Sequence, residues 1–120
     1  DPKADLYIGR GGAPEGVLAA AALRATGGQM QGRLYFGDNQ MQKDRALKMG
    51  IKDLSKIYQE TELARGDVMF AATGVTDGFM LDGVRHRKNV NITHSIVMRS
   101  RTKTVRQLVT EQRSNFKIGQ

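Results

Sequence analysis

The chain has 120 residues, no cysteine and a formal net charge of +7. That length fits one domain with a core of its own, and the lack of cysteine excludes disulfides and thiolate metal sites. No signal peptide is visible, and the longest apolar run, Val17 to Leu23, falls far short of a bilayer, so a cytoplasmic protein is expected.

The first element predicted is a buried strand over Leu6-Tyr7-Ile8. It leads into a glycine loop, Gly9-Arg10-Gly11-Gly12, where backbone of positive φ and close approach of a ligand are expected. Pro14 then starts a helix, because it has no N–H to lose and its φ is already set. Such a helix points bare N–H groups and a positive dipole end at an anion over the loop. Glu15 in the first turn would repel a phosphate placed beside it. A divalent cation between carboxylate and phosphate resolves that conflict, both being hard oxygen ligands suited to Mg²⁺ or Mn²⁺. The simpler alternative is that Glu15 only complements the dipole.

Further along, Val17–Ala25 reads as an Ala/Leu-rich helix stopped by Gly27-Gly28. Met30 to Phe36 reads as a second strand, and strand–helix–strand implies a parallel pair with a right-handed crossover. The glycine loop would then lie at a strand's carboxyl end, where ligands sit in such sheets. Asp38 or Asn39 caps a helix to about Met49, ended by Gly50. Lys56-Ile57-Tyr58 suits a short strand, and Thr61–Ala64 gives one helical turn. Val68 to Thr73 is an apolar run expected at a central sheet position. It enters a second glycine loop, Thr73-Gly74-Val75-Thr76-Asp77-Gly78. There Thr73, Thr76 and Asp77 either contact a sugar or phosphate or simply build a turn, with Gly74 and Gly78 at positive φ; the turn is favoured for Asp77. Phe79–Val84 is a connector or short strand. Asn91–Met98 and Thr104–Thr110 form an antiparallel hairpin about Ser100–Lys103, and the tail after Glu111 lacks periodicity.

Charge is uneven along the chain. From Arg85 onward nine Lys/Arg stand against Glu111 alone, whereas residues 1–84 carry ten Lys/Arg and eleven Asp/Glu. A basic segment suits nucleic acid, an acidic partner, a phosphorylated metabolite or a solvated sheet face. His86 and His94 have no metal-ligand spacing and are expected as surface or strand residues. No catalytic residue can be named. Glu15 is the one carboxylate in a phosphate-type loop, and one carboxylate cannot hold a metal cluster. Together with a start at Asp1-Pro2, this suggests a piece of a longer polypeptide.

The run Gly11-Gly12-Ala13-Pro14-Glu15-Gly16-Val17-Leu18-Ala19-Ala20-Ala21 resembles the class II, GlpX-type fructose-1,6-bisphosphatases. Gly28 to Leu34, Ala46 to Ile51, Phe70 to Gly78, Thr93-His94-Ser95 and Met98-Arg99-Ser100 follow in the family's order. The resemblance covers about residues 4–110 and implies a single domain over residues 1–120, the carboxy-terminal part of such an enzyme. It implies an α/β layered fold of the lithium-sensitive, metal-dependent phosphatase type, with a mixed sheet and a C-terminal antiparallel hairpin. It implies hydrolysis of the 1-phosphate of fructose 1,6-bisphosphate in gluconeogenesis, in some members also of sedoheptulose 1,7-bisphosphate. Carried onto this chain, it makes Glu15 a ligand of Mn²⁺ or Mg²⁺ and Gly12 a substrate contact. The other metal carboxylates belong to an amino-terminal part, without which the chain is expected to be inactive. A homo-oligomer is expected, with no nucleic-acid or membrane partner. Arg10 departs from the family, which usually has a small or uncharged residue there, and the tail after Val109 does not match it.

Two other classes are weighed. A nucleotide-binding module without catalysis would cradle a pyrophosphate in the loop, but G-x-G-x-x-G and the P-loop lysine are missing. A basic nucleic-acid-binding domain would use residues 85–106, but the segment has no aromatic platform and no binding motif.

Overall fold

A computed structural model of the chain describes residues 5–113. Helix α1, Ala13–Thr26, carries Pro14 in its first turn and ends where Gly27 adopts φ 85. There the N–H groups of Gly27 and Gly28 both donate to the Leu23 carbonyl, at 2.8 and 2.9 Å. A short strand β1, Gln31–Arg33, follows. Helix α2, Gln40–Lys48, is capped by the Asn39 side chain, which accepts from the Gln42 N–H at 3.0 Å. Next come β2, Ile57–Gln59, the single turn α3, Glu60–Leu63, and β3, Met69–Thr73. Strands β4, Arg85–Arg87, β5, Val90–Arg99, and β6, Thr104–Arg113, follow.

Two sheets result. β1 and β2 form a two-stranded antiparallel ribbon, with Gly32 opposite Tyr58. In the larger sheet β5 is the hub. β3 pairs with its second half and β4 with its first, while β6 runs along its full length on the other side. The C-terminal hairpin expected from the sequence is therefore present, with Arg99 opposite Thr104 and Val90 opposite Arg113. The fold is α/β, with every ladder among the described residues antiparallel.

Several expectations are corrected here. Leu6–Ile8 is not a strand, and the parallel crossover pair does not form. An apolar triplet becomes a strand only when another strand satisfies its backbone, and this one has none; its side chains are 77–85% exposed. The second strand shrinks to Gln31–Arg33 and finds β2 instead. Among the described residues β3 lies at a sheet edge, paired only with β5, and alternates exposed and half-buried residues. The glycines of the two loops do not need left-handed backbone: positive φ occurs at Gly27, Gly37, Gly50 and Gly66, not at Gly12 or Gly74. Although the tail after Glu111 lacks periodicity, Gln112 and Arg113 belong to β6; the rest of that tail, and Asp1-Pro2, lie outside the described residues.

The core is small. Ala25 of α1 packs on Ile96 and Met98 of β5, with Phe70, Ala72 and Leu81 against them. Arg24 ties α1 to the segment after α3, donating to the Ala64 and Gly66 carbonyls at 2.5 Å each. Lys103 donates to the Arg24 carbonyl at 3.2 Å, placing a cation at the negative end of α1. Ser100 is buried and accepts from the Val68 N–H through its hydroxyl at 2.9 Å, fastening the hairpin turn to the start of β3.

Much apolar surface stays uncovered. The chain exposes 10191 Å², where a compact monomer of its 13.2 kDa would expose about 6,400 Å². α1 is apolar on all sides, a pattern that belongs to buried helices, yet Val17 and Leu18 are exposed.

Candidate active site

α1 is entered through the glycine loop, and Gly12 is its N-cap with φ −68 and ψ 155. Any residue adopts that backbone, so the glycine answers a need for space. A Cβ there would collide with Glu15, whose Cδ would stand 3.2 Å away and whose Oε2 would stand closer still. The carboxylate thus folds back over the loop. It takes part in no hydrogen bond or ion pair among the described residues. No side chain caps the helix, and the Gly12 carbonyl accepts its first bond from the Gly16 N–H at 3.1 Å.

An exposed carboxylate without a partner is able to ligate a hard divalent cation. Among the described residues no three His, Cys, Asp or Glu gather where they would hold a metal. The residues present therefore fit a metal as contributors of one ligand, Glu15, and not as a whole site. Arg10 lies two residues before Gly12, with its guanidinium carbon 4.1 Å from the centroid of the Tyr35 ring.

The second glycine loop is a separate, internally stapled structure. The Gly74 N–H donates to the His94 carbonyl at 3.0 Å, and the Val84 N–H to the Val75 carbonyl at 3.1 Å. The space beside Gly74 is filled by the Asp82 carbonyl, which leaves no room for a Cβ. Asp77 accepts from the Gly83 N–H at 2.8 Å and from Arg85 Nη2 at 2.7 Å. The Gly83 hydrogen bond foremost, then Arg85, holds the Asp77 carboxyl below its ordinary value. The turn role favoured for Asp77 is the one seen. Thr73 bonds Ser95 across the sheet at 2.7 Å between hydroxyls.

His94 joins both ends of this loop. Its carbonyl holds Gly74, and its ring Nδ1 accepts from the Asp82 N–H at 3.0 Å. His86 sits on β4 and pairs with Asn91 through Nδ1 at 2.6 Å. Both histidines are strand residues, as expected. A cavity of ≈ 110 Å³ opens at the foot of the loop, lined by Asp82, Gly83, Arg85, Ile92, His94 and Val109. No hydrogen bond or ion pair joins residues 9–16 to residues 73–78.

Several cations of the basic segment are used internally: Arg85 by Asp77, Arg101 by Asp67 at 3.7 Å, and Lys103 by the end of α1. Sequence reasoning missed β4 and the Arg10–Tyr35 contact. The first had a signal, since Lys88-Asn89 is a two-residue turn between strand residues, with Lys88 at φ 43. The second had none, because it joins residues 25 positions apart.

Comparison with known proteins identifies the family of the chain. Residues 1–112 match the family model described as bacterial fructose-1,6-bisphosphatase, glpX-encoded. A D-fructose 1,6-bisphosphatase class 2/sedoheptulose 1,7-bisphosphatase of Prochlorococcus marinus (strain MIT 9515) is 41% identical over 112 aligned positions, covering 82% of this chain and 34% of that protein. The protein of the same description from Trichodesmium erythraeum (strain IMS101) is 43% identical over 111 positions, covering 82% and 32%. The chain thus spans about a third of the length of the curated relatives it matches. It belongs to the glpX-encoded family of bacterial fructose-1,6-bisphosphatases.

Proposed function

We propose that this chain is the carboxy-terminal part of a metal-dependent sugar bisphosphatase of the lithium-sensitive phosphatase type, acting in the cytoplasm as a homo-oligomer. Its substrate is fructose 1,6-bisphosphate, hydrolysed at the 1-phosphate, with sedoheptulose 1,7-bisphosphate as a second candidate named in the relatives' descriptions. The observation that carries this reading is the unpartnered Glu15 carboxylate over Gly12, on a chain that matches the family across residues 1–112. The uncovered apolar faces support it, because a piece that leaves Val17 and Leu18 in water needs more protein to cover them.

In this reading Glu15 gives one oxygen ligand to Mg²⁺ or Mn²⁺, and the remaining ligands come from the amino-terminal part. Glu15 would hold one such metal, which would supply polarisation of phosphoryl oxygens and a lowered pKa for a bound water. Gly12 lets the substrate approach the backbone and leaves Glu15 the room to turn back. The hairpin of β5 and β6 is structural or forms an assembly surface.

Phosphate release from fructose 1,6-bisphosphate, with Mg²⁺ or Mn²⁺ present, tests the reading. The complete protein should turn over, and the 120-residue chain alone should not. Clear turnover by the isolated chain, or none by the complete protein, would contradict it.

A further inference from the structure

We propose that Arg10 is a phosphate-contacting residue of this site and that Tyr35 holds it in position; the inference rests on the bisphosphatase reading and deepens it. Arg10 is on the approach to α1, two residues from Gly12. Its guanidinium lies over the Tyr35 ring at 4.1 Å, well inside the range of about 6 Å for cation–π contact. Tyr35 follows β1, so the contact is tertiary and gives a long, exposed side chain one preferred place.

Two features mark this arginine as a ligand-binding group and not as one half of an ion pair. No carboxylate pairs with it among the described residues. Its N–H donors also make no hydrogen bond among the described residues, and they have the fork geometry that matches two oxygens of a phosphate. The nearby Glu15 would be its natural partner, five residues along. Instead Glu15 folds over Gly12 and Arg10 lies on Tyr35. The segment therefore carries a carboxylate and a guanidinium, five residues apart in sequence, with no ion pair for either among the described residues. The carboxylate suits a hard cation. The guanidinium suits the phosphate oxygens that such a cation does not reach. A phosphate ester of the substrate and the released inorganic phosphate share this chemistry.

The test uses the complete protein with Arg10→Gln, Arg10→Lys, Tyr35→Leu and Tyr35→Phe. Arg10 and Tyr35 are exposed, so the variants should fold, as circular dichroism will show. Arg10→Gln should raise KM for fructose 1,6-bisphosphate about ten-fold, or about 1.4 kcal/mol, with kcat nearly unchanged. Arg10→Lys keeps the charge without the fork and should fall between. Tyr35→Leu should raise KM about three-fold by freeing the arginine, and Tyr35→Phe, which keeps a ring, should match the parent. A parallel loss of inhibition by inorganic phosphate assigns the contact to the released group as well; unchanged inhibition assigns it to the ester alone. Unchanged KM and unchanged phosphate inhibition in a folded Arg10→Gln protein would overturn the role of Arg10. A Tyr35→Leu protein with the parent's KM would overturn that of Tyr35. Calorimetric binding of inorganic phosphate to the same proteins reads the contact without turnover. An inactive parent protein would sink the bisphosphatase reading, whereas an active one with indifferent Arg10 variants would sink only this inference.

Discussion

The Glu15 carboxylate occupies the space that a Cβ on Gly12 would fill, so the residue expected to hold a metal and the residue expected to meet the substrate constrain each other. Gly12→Ala tests that link. The backbone at φ −68 accepts alanine, and the obstruction is the flexible end of a side chain, so the melting temperature should barely move. The carboxylate must rotate away, and the metal concentration needed for half-maximal activity should rise by about ten- to a hundred-fold, the usual effect of disturbing the surroundings of a metal ligand. A metal titration that superimposes on the parent's would show that the Glu15 rotamer does not matter.

The second loop makes a prediction about acid. The Asp77 carboxyl is held below its ordinary value by the Gly83 N–H and by Arg85. A carboxyl lowered in the folded state adds stability above its unfolded pKa, about 3.9, and loses it as pH falls through the folded value. Asp77→Asn keeps an oxygen for Gly83 but has no proton to gain. The melting temperatures of parent and variant should therefore differ most near neutrality and converge below about pH 4. A constant gap down to pH 2.5 would mean that the Asp77 charge contributes nothing. Glu60 and Glu62 are lowered too, by the Met30 N–H and by Lys56 respectively, so parent and variant share some remaining acid sensitivity.

The hairpin arginines are expected to be bystanders in catalysis. Arg99 sits opposite Met69 and Thr104, and Arg106 opposite Val97, with no carboxylate partner for either among the described residues. Arg99→Ala and Arg106→Ala in the complete protein should leave turnover nearly intact and shift stability by no more than about 0.5 kcal/mol. A loss of 100-fold, about 2.7 kcal/mol in transition-state terms, in a folded variant would move these arginines into the site.

What the sequence disclosed follows from which forces are local. α1 and α2 were readable because Pro14, Gly27, Asn39 and Gly50 act within a turn of themselves. The β5–β6 hairpin was readable because its partners are neighbours in the chain. The exposure of Leu6–Ile8 and the edge position of β3 are not legible for the opposite reason. β3 is a strand as its apolar run predicts, but a strand's place in a sheet depends on which distant strand is present to pair with it. Gly12 and Glu15 stand out in the sequence as candidates through their motif, but the close approach between them does not, since it depends on a rotamer. The Arg10–Tyr35 stack was equally hidden, because nothing in either residue's own neighbourhood calls for it.

The central claim is that Glu15 is a metal ligand, and Glu15→Gln in the complete protein tests it most directly. The amide is nearly isosteric and keeps one oxygen but loses the charge that holds a hard cation. If Glu15 served only the helix dipole, the change would cost ~0.3–1 kcal/mol of stability and little turnover. The measurement is turnover of fructose 1,6-bisphosphate across a Mn²⁺ titration, alongside the melting temperature. The account predicts a large fall in turnover at limiting metal, partial recovery at high Mn²⁺ and an intact fold. Near-normal turnover at limiting metal would contradict it and remove Glu15 from the site.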